Sequence, residues 1–134
     1  MAPVDLAHVA RLERALATAG DLAKLYNAPV VYVGVTTAEP SSVAHTPVEF
    51  QQKLDAFAAD ESAKRGVDAS AFSVVSHDPT IELEDALIKA LGDTDADLVV
   101  MASHIPGLAD HLWPSNGGRI AAHAKASVFI VRDV

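Results

Sequence analysis

Two periods alternate along the chain. Val9, Leu12, Leu16, Ala19, Ala23 and Tyr26 recur at three and four residues, which predicts a helix starting at Leu6. Asn27 is a good left-handed stop for it. Pro29 to Thr36 (PVVYVGVT) is a nearly unbroken β-branched run, the pattern of a strand covered on both faces. Thr37 to Thr46 is polar, with Pro40, Ser41 and Ser42, and predicts a loop. Helical spacing returns at Phe50, Leu54, Phe57 and Ala58, opened by Pro47 and ended by Gly66. Ser70 to Ser76 predicts a strand. Asp78-Pro79 predicts a helix start, with Leu83, Leu87, Ala90 and Leu91 as its stripe and Gly92 as its stop. Leu98 to Met101 reads as a strand, Ile120 to Ala124 as part of a last helix, and Ser127 to Val131 as the last strand. Met1 to Asp5, apolar and ending in an acid, supplies the first.

Strands alternating with helices imply an α/β fold with parallel pairing, right-handed crossovers and helices on both sheet faces. With 134 residues and no repeat or linker, residues 1–134 are expected to form a single domain. Half of the residues are apolar, enough for a core without staples. The absence of cysteine excludes disulfides, thiol catalysis and thiolate metal sites, and it suits a reducing compartment. A formal charge of -8 argues against broad contact with nucleic-acid phosphates and against anionic membranes. Asp5, Glu13 and Asp21 interrupt the alanine-rich start, so it reads as a first helix rather than a targeting peptide. The expected location is cytoplasmic.

Ligands of open parallel sheets sit beyond the carboxyl ends of the strands. Those ends are Val4-Asp5, Val35-Thr36, His77-Asp78 and Ala102 to Ile105. Asp5 suits a hydrogen bond to a sugar hydroxyl or base edge, and equally an N-cap for the first helix; both roles can hold at once. Ser115-Asn116-Gly117-Gly118 is expected to precede the last helix, where free amides can bind an anion or simply form a turn and cap.

Taken in order, APVD at Ala2–Asp5, LAKLYNAPVVYVGV at Leu22–Val35, DPTIELEDALIKA at Asp78–Ala90, DADLVVMASH at Asp95–His104 and GRIAAHAKASVFIVR at Gly118–Arg132 resemble the universal stress protein family (UspA-like) over almost the whole chain. The resemblance implies a Rossmann-like, open five-stranded parallel sheet of order 3-2-1-4-5 and a role in stress survival or regulation, usually as a homodimer. It also implies a split. One branch binds ATP through a loop of Gly, two residues, Gly, nine residues, Gly, then Ser or Thr; the other lacks that loop. Family members usually carry several more apolar residues before the Pro3–Asp5 stretch. A first strand this short would leave ladder groups of its neighbours without partners.

Here the loop departs from the ATP-binding pattern. Ala102 and Ile105 stand where the first two glycines would be, the spacer is one residue shorter, and Pro114 replaces the third glycine when the last strand anchors the alignment. Ser115 alone matches. Ile105 resists positive φ and adds bulk, and Pro114 removes an amide donor. Each lost charge-assisted bond costs about 1.5–3 kcal/mol, which weakens a triphosphate by orders of magnitude. Asn116, Gly117 and Gly118 are expected to compensate in part from a shifted position. Pro3, Val4, Asp5 and Val35 resemble the adenine and ribose contacts of the ATP-binding branch. His104 occupies a slot where that branch also has histidine.

The expectation is therefore a non-enzymatic stress-response or regulatory dimer with weak or no ATP binding, no required cofactor, and a protein partner still to be identified. The alternative is an ATP- or AMP-binding member using Ser115–Gly118. A third reading is a nucleotide hydrolase or transferase on the same fold, for which only Asp5, Asp78 and His104 offer acid–base chemistry. His104, His111 and His123 match no metal-ligand spacing, so no metal is expected. Trp113 is expected to be either a packing anchor or a partner contact. In the family order the last strand, with Val128, Phe129, Ile130 and Val131, lies at the sheet edge. It is expected to pair antiparallel across a twofold axis, and proline at Phe129 to abolish that pairing.

Overall fold

The predicted alternation is realised. In chain order the elements are β1 (Ala2–Pro3), a 3-10 turn (Val9–Leu12), α1 (Glu13–Tyr26), β2 (Val30–Thr36), α2 (Pro47–Arg65), β3 (Ala69–Val75), α3 (Pro79–Thr94), β4 (Leu98–Ala102), α4 (Trp113–His123) and β5 (Ser127–Val131). The computed structural model describes residues 1–103 and 113–132, with the backbone alone for residues 80 and 113–117.

Every ladder is parallel. β1 lies beside β2 with Ala2 opposite Tyr32, and β2 lies beside β3 from Val30 opposite Ala69 to Thr36 opposite Val75. β4 lies beside β5 from Leu98 opposite Ser127 to Ala102 opposite Val131. Met1 bridges the two ladders: its amino group donates to the Leu98 carbonyl at 2.8 Å, and its carbonyl accepts from the Val100 amide at 3.0 Å. On each side of that seam the neighbours are those of a 3-2-1-4-5 sheet. Burial lowers the pKa of the Met1 amine, against the opposing pull of Asp97.

Alternation along β2 divides the two faces. Tyr32 packs edge-on against Phe57 of α2, with ring centres 5.2 Å apart. Val33 and Val35 share a wall with Leu83 and Leu87 of α3. Glu13 of α1 pairs with Lys64 and Arg65 of α2, and Arg119 of α4 reaches Glu84 of α3 at 3.0 Å. Two helices therefore cover each face. Leu12, Leu16, Tyr32, Leu54, Leu87, Val99, Met101 and Ile120 are fully buried between them.

Local signals explain most boundaries. Thr46 caps α2 by accepting from the Glu49 amide at 3.1 Å, and Glu49 returns a bond to the His45 amide at 2.9 Å. Asn27 and Gly66 end α1 and α2 in the left-handed conformation.

Three expectations are corrected. The first helix does not start at Leu6. Bonds from His8 to the Asp5 carbonyl and from Arg11 to the His8 carbonyl, both 3.1 Å, wind residues 5–11 into tight turns, and α1 begins at Glu13. Gly92 does not end α3. The helix runs through it to Thr94, and Asp95 takes the left-handed φ of 53° instead, a conformation aspartate tolerates. Ser115–Gly118 does not precede α4. Pro114 suits a first helical turn, so the helix opens at Trp113 and the Ser-Asn-Gly-Gly segment lies inside it.

Candidate functional site

β1 ends opposite Val33, three residues before the end of β2, and a 2.8 Å bond from the Val4 amide to the Val33 carbonyl holds its exit. Beyond them opens a crevice of about 310 Å³. Pro3, Val4 and Asp5 form one wall, with Val33, Val35 and Thr36 beside them. Leu83 and Leu87 of α3 close the far side, and Thr37, Ser41, Ser42 and Val43 form the rim. A larger hollow of about 480 Å³, around Tyr26, Val30 and Leu98, lies at the amino ends of the strands, opposite to where open parallel sheets place ligands.

Asp5 sits just past the end of β1. Its Oδ1 accepts from the Ala7 amide at 2.9 Å, and its Oδ2 lies 2.8 Å from His8 Nδ1. The carboxylate thus ties an Asx turn two residues on rather than capping α1. His8 also lines the crevice.

The rim is fixed by its own bonds. Ser41 Oγ accepts from the Val43 and Ala44 amides at 3.2 and 3.3 Å, and Lys53 of α2 donates to the Val43 carbonyl. Gly34 lets α2 come close: a Cβ there would lie 2.7 Å from Phe50 Cζ. Phe50 can therefore form part of the crevice floor. At the start of α3, Glu82 accepts from the Ser76 hydroxyl and from the His77 and Asp78 amides. Those bonds, the Ser76 hydroxyl first, hold its carboxyl below the usual glutamate range.

The predicted adenosine-side residues Pro3, Val4, Asp5 and Val35 all meet on this crevice. Of the predicted phosphate-side residues, the described ones lie on β4 and α4. Ala102 is buried at the end of β4, and the next amide, that of Ser103, is bonded to the Val131 carbonyl at 2.8 Å. His104, Ile105 and His111 lie outside the described residues. Ser115, Asn116, Gly117 and Gly118 are helical. The amides of Gly117 and Gly118, four residues or more into α4, fall within reach of its internal ladder, so the expected shifted nest is not formed by them. Pro114, in the first turn, brings no donor. Trp113 starts α4, and its side chain lies outside the description. Among the described residues, no three His, Asp or Glu side chains gather to hold a metal. No described helix is long and apolar enough to cross a membrane.

Sequence reasoning missed His8, Thr37, Ser41, Ser42, Phe50, Leu83 and Leu87 as wall residues. Leu83 and Leu87 were visible as a helical stripe, and Ser41-Ser42 as a loop. Nothing in the pattern said that this loop folds back over β1. His8 was hidden in a segment read as helix.

This architecture, with its crevice at the carboxyl ends of β1 and β2, defines a Rossmann-like α/β protein. A family model described as the Universal stress protein family matches residues 1–132, and the chain belongs to that family. Three solved structures are similar. A universal stress protein in complex with cAMP is 21% identical, with a TM-score of 0.65 over 97% of this chain and 94% of that one. The universal stress protein from Archaeoglobus fulgidus in complex with dAMP is 19% identical, with a TM-score of 0.65 over 96% and 93%. A universal stress protein family protein from Arabidopsis thaliana with AMP bound is 16% identical, with a TM-score of 0.56 over 90% and 76%.

Proposed function

We propose that this protein is a non-enzymatic, cytoplasmic stress-response dimer whose crevice takes the nucleoside part of a small adenine ligand and holds ATP weakly or not at all. One observation carries the reading: Pro3, Val4, Asp5 and Val35 converge on a 310 Å³ crevice, whereas Gly117 and Gly118 lie past the first turn of α4. The three similar structures hold adenine monophosphates, which suits the same ligand class here. A binding role is favoured over turnover because both oxygens of Asp5 already engage Ala7 and His8. The dimer is assigned to the last strand, where Phe129 and Ile130 are exposed and Val128 and Val131 pack inward.

Calorimetry tests the ligand reading. Adenosine and AMP should bind, and ATP at least about tenfold more weakly, since it forfeits charge-assisted bonds that the missing glycines would have allowed. ATP binding as tight as AMP would favour the alternative, an ATP-binding member. No heat with any of the three would remove the ligand role.

A further inference from the structure

The crevice has an unusual charge inventory. Asp5 and His8 are the only titratable side chains on its described wall, and the two are in contact at 2.8 Å. That wall carries no lysine or arginine. When His8 is neutral, the wall is net negative and repels an anionic ligand. When His8 is protonated, the pair is neutral and the repulsion disappears. Nδ1 is held by Asp5, so Nε2 is the nitrogen left to act toward a ligand, and no described residue bonds to it. A protonated ring presents Nε2 as a donor, and a neutral one as an acceptor. Imidazole makes this change between about pH 5 and 8.

We infer that His8, through its contact with Asp5, is a specificity residue of the crevice: it admits anionic nucleotides when protonated and leaves neutral nucleosides indifferent to pH. The inference rests on the crevice reading above and adds its regulation.

Several charged groups stand around His8. Asp5 faces it from the end of β1, and Arg11 follows one turn along. Lys53 and Asp60 of α2 line the adjoining hollow beneath Ala7 and Val9, where Lys53 is paired to Glu49. Glu39 and His45 belong to the 37–46 segment, with His45 paired to Glu49. His77 and Asp78 stand at the start of α3 and give their amides to Glu82.

The test compares adenosine with 3′,5′-cyclic AMP, whose phosphodiester stays singly charged across the range, unlike the phosphate of AMP, which titrates near pH 6. Calorimetric titrations at pH 5.5 and pH 8 are made on the wild-type chain and on His8→Gln. Cyclic AMP should bind wild type about tenfold more tightly at pH 5.5, with adenosine unchanged, and His8→Gln should lose that difference. A cyclic AMP preference that persists in His8→Gln would overturn the role of His8 while leaving the crevice reading intact. Failure of both ligands at both pH values would overturn the crevice reading itself. Should His8→Gln fold poorly, an NMR titration of the His8 ring in wild type decides. By reciprocity, cyclic AMP must raise its titration midpoint and adenosine must not. No movement with bound cyclic AMP overturns the inference.

Discussion

The two edges of the sheet face solvent under different terms. At the β3 edge, ladder parity turns Ala71 and Ser73 outward, because the Ser76 amide is bonded inward to the Thr36 carbonyl and Val30 to Asp68. Gln51 of α2 bonds one outward group of each. Its Oε1 accepts from the Ser73 amide at 3.0 Å, and its Nε2 donates to the Ala71 carbonyl at 3.4 Å. At the β5 edge no described side chain does this. There Ser127 is bonded inward to Asp97, and the Val131 carbonyl inward to Ser103, so Val128 and Ile130 point their backbone groups outward. Phe129 and Ile130 are 47% and 44% exposed beside them. Unpaired edges invite another chain, and side chains that bond the outward groups blunt that tendency. The comparison teaches that a helix side chain satisfies part of the β3 edge, whereas among the described residues none does so at β5.

The same parity corrects the site of the expected proline test. The amide of Phe129 faces β4, not solvent, so a proline there breaks the monomer's own ladder. Ile130→Pro removes an outward donor and leaves the β4 pairing. The largest effect therefore belongs to Ile130→Pro, which should weaken the proposed dimer about a hundredfold, since a twofold interface loses the bond twice. Light scattering across a dilution series reads this. Phe129→Pro should instead lower thermal stability of the monomer. A fully dimeric Ile130→Pro would move the interface away from β5.

Gln51→Ala breaks the comparison from the other side. It should cost about 1 kcal/mol of stability, two bonds to partly exposed groups. It should also give β3 a concentration-dependent self-association that wild type lacks. Chemical denaturation and sedimentation read the two parts. Unchanged stability and unchanged association would mean that Gln51 does not protect the edge.

Both edges were legible in the sequence as strands, and neither was legible as open or closed. Local composition marks Ser70–Ser76 and Ser127–Val131, short runs rich in β-branched and aromatic residues. Whether an outward amide meets Gln51 depends on where a helix docks, more than twenty residues away in sequence. The crevice divides the same way. Pro3, Val4, Asp5 and Val35 could be placed because strand ends are local features and the motif order is specific. The fold-back of Ser41–Val43 is tertiary. The misplaced starts of α1 and α4 have local causes that compete with periodicity: the turns wound around Asp5 and His8, and a proline that outweighs two glycines.

The smallest predicted effect concerns how each edge strand is tied at its end. β3 leaves the sheet through Ser76, His77 and Asp78, all bonded to the Glu82 carboxylate. β5 has no such carboxylate among the described residues. The pKa of Glu82 is lowered in the folded chain, so its contribution is complete above the ordinary glutamate value of about 4.3 and is lost as pH falls through the folded value. Acidification should therefore raise amide exchange at His77 and Asp78 a few-fold beyond its intrinsic trend, while Phe129 and Val131, bonded to β4, stay protected. In Glu82→Gln the β3 exit should already exchange faster at neutral pH and lose its acid response. Equal acid sensitivity at both strand ends would show that the carboxylate is not what distinguishes them.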